Sequence, residues 1–226
     1  MNARLKMLNF ITSIKKSPFW WLCAVIFLIA LFIKLSSELL FGSELQKFDQ
    51  TILTFIGQNI RSSSYNSLAV DLTAFGSPSV ILVVTTISLF ALFLLKDKIG
   101  AFYLVIMVSG GGIWTLLLKR YFDRNRPTTL SRLVEVKGQS FPSGHALSST
   151  ATYFAIALLI CKYTSSQKIS FFVLALAAII VLLTSLSRLY LGVHYPSDVL
   201  SGIVFGLAWV IFVTEIFKFF SNQQQS

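Results

Sequence analysis

Residues 119–145 read KRYFDRNRPTTLSRLVEVKGQSFPSGH and stand between two long apolar runs, about 100–118 before them and about 145–161 after them. Runs of that length and near-absence of charge are enough to cross a hydrocarbon core of roughly 30 Å. The stretch between them carries Lys119, Arg120, Arg124, Arg126, Arg132 and Lys137. A loop joining two membrane spans has no structural need for so many cations. Holding a doubly charged anion at the edge of a bilayer does need them. Further along, Ser187–Asp198 (SRLYLGVHYPSD) forms a second polar stretch at the same kind of junction. The chain has 2 histidines, and each stretch holds one.

Outward from this region the pattern repeats. Over 226 residues, 55% are apolar, 14% aromatic and only 12% charged, which excludes an ordinary soluble domain. Hydropathy places spans at about 19–41, 78–95, 100–118, 145–161, 170–187 and 198–219. The expected fold class is therefore all-α, a six-transmembrane-helix bundle forming one integral-membrane domain over residues 19–219. A basic tail, 1–18, precedes it and a short tail, 220–226, follows. Arg4, Lys6, Lys15 and Lys16 ahead of the apolar run Phe19–Ile33 share the layout of a signal peptide. No small-x-small cleavage site stands near Lys34–Phe41, so an uncleaved first span is expected, with Trp20 and Trp21 in the aromatic belt. Residues 42–77 read either as a plain connection or as an amphipathic helix on the membrane surface. In the second case Phe48, Ile52, Leu53, Phe55 and Ile56 form the apolar side, with Asp49, Gln50, Gln58 and Asn59 between them. Gly110–Gly112 reads as a weak point or a close helix approach, and Gly202 with Gly206 as a packing pair. Cys23 and Cys161 are expected as small buried hydrophobes.

Six spans put both termini on one side, together with the turns at 96–98 and 162–168. Lys96, Lys98, Lys162, Lys168, Lys218 and the N-terminal cations then mark that side as cytoplasmic. Both polar stretches fall on the opposite face, so the active site is expected at the outer membrane–water boundary. That face is the periplasmic or extracellular side of a bacterial inner (plasma) membrane. The net charge of +10 fits membrane anchoring and an anion site, and no nucleic-acid motif accompanies it.

Three motifs align in order at the span ends: Lys119-x6-Arg126-Pro127, Pro142-Ser143-Gly144-His145, and Ser187-Arg188-x5-His194-x3-Asp198. Together they resemble the type-2 phosphatidic acid phosphatase family, whose relatives include vanadium haloperoxidases and bacterial acid phosphatases. The resemblance covers roughly residues 50–215. It implies a membrane lipid phosphatase in which His194 is the nucleophile, forming a phosphohistidine, and His145 protonates the leaving group and then activates water.

The residues carry chemistry of their own. A phosphoryl group in transfer spreads charge over three equatorial oxygens. Lys119, Arg126 and Arg188 provide a matching set of cations, with guanidinium forks suited to phosphate. Ser143 offers a hydroxyl, and Gly144 an unobstructed backbone N–H near a helix start. Asp198, one helical turn beyond His194, is placed to fix the ring's tautomer. Two histidines and an aspartate are also zinc-ligand types, but the surrounding cations repel a divalent ion, so neither metal nor cofactor is expected. Arg120, Arg124, Arg132 and Lys137 have a plainer alternative as headgroup anchors. Tyr190 and Tyr195 read as interfacial aromatics, and Asp123 as a charge balancing its arginine neighbours. The expected partner is a lipid phosphate within the membrane: undecaprenyl diphosphate, phosphatidylglycerophosphate, phosphatidic acid or lipid A. The short basic linker 128–141 leans toward a diphosphate. A lipid phosphotransferase and a non-catalytic lipid-binding protein are the alternatives. A transporter would place its ionisable groups near the midplane instead of at span ends.

Overall fold

A computed structural model describes residues 20–223, all helices and connections without a strand. The basic tail 1–18, the first residue of the expected opening span, and residues 224–226 lie outside the described residues. The helices are α1 (Trp20–Phe41), α2 (Glu44–Phe55), α3 (Asn66–Ala74), α4 (Pro78–Leu94), α5 (Lys98–Phe122), α6 (Gly144–Tyr163), α7 (Gln167–Tyr190) and α8 (Pro196–Gln223). Five of them, α1, α5, α6, α7 and α8, are long and apolar enough to cross a membrane. A sixth crossing is formed if residues Ser63–Ala74 and Pro78–Leu94 count as one span, bent by 44°. This is an integral membrane protein.

Helix starts follow local capping chemistry. The Ser77 hydroxyl accepts from Val80 N with Pro78 in the first turn, and Asp97 accepts from Gly100 N at the head of α5. Ser143 and Ser166 do the same for α6 and α7. α5 runs to Phe122, past the expected end at 118, because Lys119 and Arg120 in its last turn complement the helix dipole.

α6 is the axis of the bundle. It is the least hydropathic of the five long spans, 1.4 against 1.9–2.8, and the most buried. Its sequence explains both facts. Ala146, Ser149, Thr150, Ala151, Thr152, Ala155 and Ala157 are small and all buried, so α5, α7 and α8 pack closely around it. The expected packing pair, on α8, packs against this helix: a Cβ at Gly202 would stand 2.7 Å from Ser143 O, and one at Gly206 2.8 Å from Thr150 Cβ. The Gly110–Gly112 run is a close approach, Gly110 against the Trp209 ring and Gly111 against Ala151. Cys161 is buried as expected, but Cys23 is exposed on α1, where a membrane-facing position satisfies a small apolar side chain equally well.

Residues 42–77 are helical through most of their length. α2 continues through a π turn at Ile56–Ile60 to a 3-10 turn at Ser63–Tyr65 and then α3. The buried face of this first part differs from the sequence expectation. Leu53, Ile56 and Asp49 point inward, while Phe48 and Phe55 are exposed.

The two ends of the bundle are distinct. At one, Asp97 takes hydrogen bonds from Lys162 and from the Tyr163 hydroxyl, joining the α4–α5 turn to the end of α6. At the other, the α5–α6 connection folds over the α7–α8 turn. Leu133 N donates to Leu191 O at 3.1 Å, and Leu191 and Val193 pack with Ala69, Leu133, Val134 and Val136.

Candidate active site

Every residue singled out from the three motifs lies at that second end. Lys119 is in the last turn of α5, His145 in the first turn of α6, Arg188 in the last turn of α7 and Asp198 in the first turn of α8. Arg126 and His194 come from the connections between them. A chain that ends its apolar runs at these positions necessarily gathers the polar residues into one layer.

His194 is the centre of this layer and is 2% exposed. Its Nδ1 lies 3.4 Å from Asp198 Oδ2 and 3.4 Å from the Ser140 hydroxyl. That hydroxyl donates to the same Asp198 oxygen at 2.5 Å, and Tyr195 N donates to it at 2.9 Å. An acceptor beside Nδ1 keeps the ring proton there and leaves the Nε2 lone pair exposed to its neighbours. Nε2 faces Arg126 Nη1 at 3.3 Å. Burial is the largest influence on the ring. Together with the Lys119 and Arg126 charges, and against the pull of Asp198, it lowers the imidazole from 6.5 to about 4. His194 is therefore neutral at pH 7, and its Nε2 lone pair faces Arg126 Nη1.

Lys119, Arg126 and Arg188 share this end of the bundle, and Arg126 is the one in contact with the nitrogen. His145 lies within electrostatic reach of His194, Arg188, Arg126 and Lys119. Lys119 in turn feels Arg126, Asp198 and Arg188. Lys119 Nζ donates to Gln139 O at 2.5 Å. Arg126 donates to Gly138 O at 2.9 Å, Lys137 O at 3.1 Å and Val193 O at 2.8 Å. Three of its donors thus tie the two connections together. Its remaining capacity lies on Nη1, facing His194, and on Nη2. Arg188 is 3% exposed and donates from Nη1 to the Thr73 hydroxyl at 2.7 Å. Its Nε is buried with no hydrogen-bond partner among the described residues. A buried cationic donor left unpaired is costly unless a ligand satisfies it.

Ser143 and Gly144 complete the ring of groups. The Ser143 hydroxyl caps α6 by accepting from Ala146 N at 3.4 Å, which leaves its own O–H available to donate. Ser143 N donates to Asp198 O at 2.9 Å, pinning the head of α6 to the head of α8. A Cβ at Gly144 would stand 2.9 Å from Thr115 Cγ2 and 3.8 Å from Lys119 Cε, so the backbone approaches α5 closely there. Gly76, in the break between α3 and α4, serves His145 in the same way: a Cβ would meet the imidazole Cδ2 at 3.0 Å.

Sequence reasoning missed several members of this layer. Arg124 had been allowed as a headgroup anchor. Instead its side chain is 11% exposed and lies between two carboxylates, with Nη1 2.6 Å from Asp198 Oδ1 and Nη2 2.7 Å from Asp49 Oδ2. Asp49 is fully buried and also accepts from Ser197 N at 2.9 Å and from the Ser197 hydroxyl at 2.5 Å. Tyr195 lies 3.9 Å beneath the Arg124 guanidinium, and the Tyr190 hydroxyl donates to Ser62 O at 2.6 Å. Both tyrosines have internal partners beyond an interfacial role. Asp123 accepts from Gln139 at 3.0 Å, steadying the connection that carries Ser140. Ser140 and Thr73 carried no sequence signal. Asp49 did, because it shares an i, i+4, i+7 stripe with Leu53 and Ile56.

Comparison with known proteins gives the family. The profile of the PAP2 superfamily matches residues 99–221. Phosphatidylglycerophosphatase B of Bacillus subtilis is 30% identical over 149 residues, which is 66% of this chain and 73% of that protein. The undecaprenyl-diphosphatase of Sulfolobus acidocaldarius is 30% identical over 204 residues, 87% of this chain and 89% of its own. Among solved structures, the transmembrane PAP2-type phosphatidylglycerolphosphate phosphatase from Bacillus subtilis superposes with a TM-score of 0.80 at 26% identity. The match covers 85% of this chain and 94% of that one. The two histidines and their cations, gathered at one end of a helical membrane bundle, together with these matches, place the chain in the PAP2 superfamily.

Proposed function

We propose that this protein is a membrane phosphatase that removes a terminal phosphate from a lipid phosphate or diphosphate, through a phosphohistidine on His194. The observation that carries the reading is the buried, unpartnered Nε of Arg188, in one cluster with Lys119, Arg126, His145 and the neutral His194. Such a site suits an anion and presents a nucleophile to it.

In the first step His194 Nε2 forms a bond to phosphorus while the bond from phosphorus to the leaving oxygen breaks. His145, which takes up a proton as the anionic substrate binds and offsets the surrounding cations, delivers that proton to the leaving alkoxide or phosphate. Lys119, Arg126 and Arg188, with the Ser143 hydroxyl and the Gly144 N–H, receive the equatorial oxygens and stabilise the charge that spreads over them. Asp198 holds the Nδ1 proton and offsets the positive charge that phosphorylation places on the ring. In the second step His145 takes a proton from water as the water oxygen attacks phosphorus. The N–P bond breaks, and inorganic phosphate leaves with Nε2 restored.

The location of the site supports a lipid substrate. The catalytic layer sits at helix ends, and long stretches of apolar surface below it are exposed, as on α4, where Leu82, Ile87, Phe90 and Phe93 face outward. A lipid reaches such a layer with its tail in the bilayer and its phosphate at the boundary. The matched relatives act, by their names, on phosphatidylglycerophosphate and undecaprenyl diphosphate. With Lys96, Lys98, Lys162 and Lys168 gathered at the opposite end, we assign the catalytic end to the outer face of a plasma membrane and both termini to the cytoplasm.

The test is phosphate release by the detergent-purified protein with EDTA present, offering undecaprenyl diphosphate and phosphatidic acid, with His194→Asn alongside. Release by wild type that the variant lacks is expected. No release by folded wild type from either lipid, or equal release by the variant, overturns the reading.

A further inference from the structure

Helix α2 lies outside the residues 99–221 matched by the superfamily profile, yet it sends a fully buried carboxylate into the site. Asp49, Arg124, Ser197 and Asp198 form one closed set. Arg124 Nη1 donates to Asp198 Oδ1 at 2.6 Å and to the Ser197 hydroxyl at 2.8 Å. Its Nη2 donates to Asp49 Oδ2 at 2.7 Å, and Ser197 binds both Asp49 oxygens. Tyr195, directly after His194, covers the guanidinium face at 3.9 Å.

The charges decide what this set does. Asp198 paired with Arg124 alone would be a neutral unit and would offer little to a positively charged His194 ring. Asp49 restores one net negative charge to the trio. It does so from the far side of Arg124, where it cannot compete for the ring proton. Hydrogen bonding alone does not require a charged partner: the half-buried Arg126 guanidinium is held by three carbonyls.

We propose that Asp49 is a positioning residue for the reaction, holding Arg124 against Asp198 and balancing its charge, so that α2 sets how strongly Asp198 supports His194. The proposal builds on the reading of His194 as nucleophile. The other groups that face His194 are Ser140 and Arg126 from the α5–α6 connection, Lys119 from α5 and His145 from α6, with Arg188 of α7 facing His145. All of these stay in place in the variants below.

The signs are opposite for the two partners. Asp49→Asn removes a negative charge and lowers the His194 titration midpoint. Arg124→Gln removes a positive charge and raises it. Each shift is expected to be about one pH unit, the scale of a charge acting through one intervening group. The double variant restores the net charge and returns the midpoint to near wild type.

The experiment is NMR titration of the full chain in detergent with labelled histidine, the two rings being assigned with His145→Asn. Opposite shifts in the single variants, cancelling in the double variant, support the proposal. A common midpoint in all four proteins overturns it. Should Asp49→Asn not fold, Arg124→Gln alone decides: an upward shift supports and an unchanged midpoint overturns. In parallel, kcat on a lipid phosphate is expected to fall at least tenfold in Asp49→Asn and to recover in the double variant. Because the midpoints are read without substrate, a wild type that releases no phosphate would sink the hydrolase reading and leave this coupling to be judged separately.

Discussion

Acidification should destabilise this protein through His194 in particular. In the folded chain burial holds its ring at about 4, against 6.5 when exposed. Above 6.5 the ring is neutral in both states and contributes nothing dependent on pH. As pH falls below 6.5 the unfolded chain takes up a proton that the folded chain refuses, so stability declines until about 4, where the folded ring also protonates. That gap corresponds to about 3 kcal/mol, a sizeable part of the stability of a protein of this size. The assay is unfolding of wild type and His194→Asn in mixed micelles at a series of pH values from 7.5 to 4. The difference between the two curves reads the His194 ring together with its coupling to Asp198 and His145. The wild type should lose about 3 kcal/mol relative to the variant, nearly all of it between 6.5 and 4. Parallel curves would refute the claim that His194 is held neutral by burial.

Other perturbations separate packing from chemistry. Gly76→Ala places a Cβ 2.6 Å from Thr184 Cγ2 and 3.0 Å from the His145 ring. It should cost about 1–3 kcal/mol and lower kcat more than it raises KM, as steady-state assays in detergent would show. Thr73→Val removes the hydrogen-bond partner that Arg188 Nη1 has among the described residues. A loss of about 1–3 kcal/mol in thermal stability is expected, with a raised KM for the lipid phosphate. Asp97→Asn breaks the junction with Lys162 and Tyr163 at the opposite end of the bundle. It should lower the thermal midpoint while leaving kcat within about twofold of wild type, because Asp97 lies at the end of the bundle away from His194.

The sequence was informative wherever one residue type could act only by its position along the chain. Apolar runs must end where charge begins, so the polar motifs had to meet in one layer. Lys119, His145, Arg188 and Asp198 do so within a turn of their helix ends. What it hid were the partners that satisfy these residues. Arg124 finds Asp49 across 75 positions, Ser140 finds Asp198 across 58 and Arg188 finds Thr73 across 115. Nothing local distinguishes an arginine that binds headgroups from one that bridges two buried carboxylates. The first part of residues 42–77 departs from the expected pattern for a related reason. Polarity alone puts Asp49 on the solvent face, yet it lies on the same buried stripe as Leu53 and Ile56. A buried carboxylate on an apolar stripe is stable only with a cation, and that cation lay in the basic connection.

The central claim is that phosphate passes through His194. The most direct measurement is acid-avoiding quench of a single turnover, followed by mass spectrometry of the peptide that holds residues 189–198. Phosphate on His194 that appears before free phosphate, and is absent when His194 is replaced by Asn, is the predicted result. Wild-type release of phosphate with no phosphorylated histidine at any time, together with inversion of configuration at phosphorus, would contradict the account.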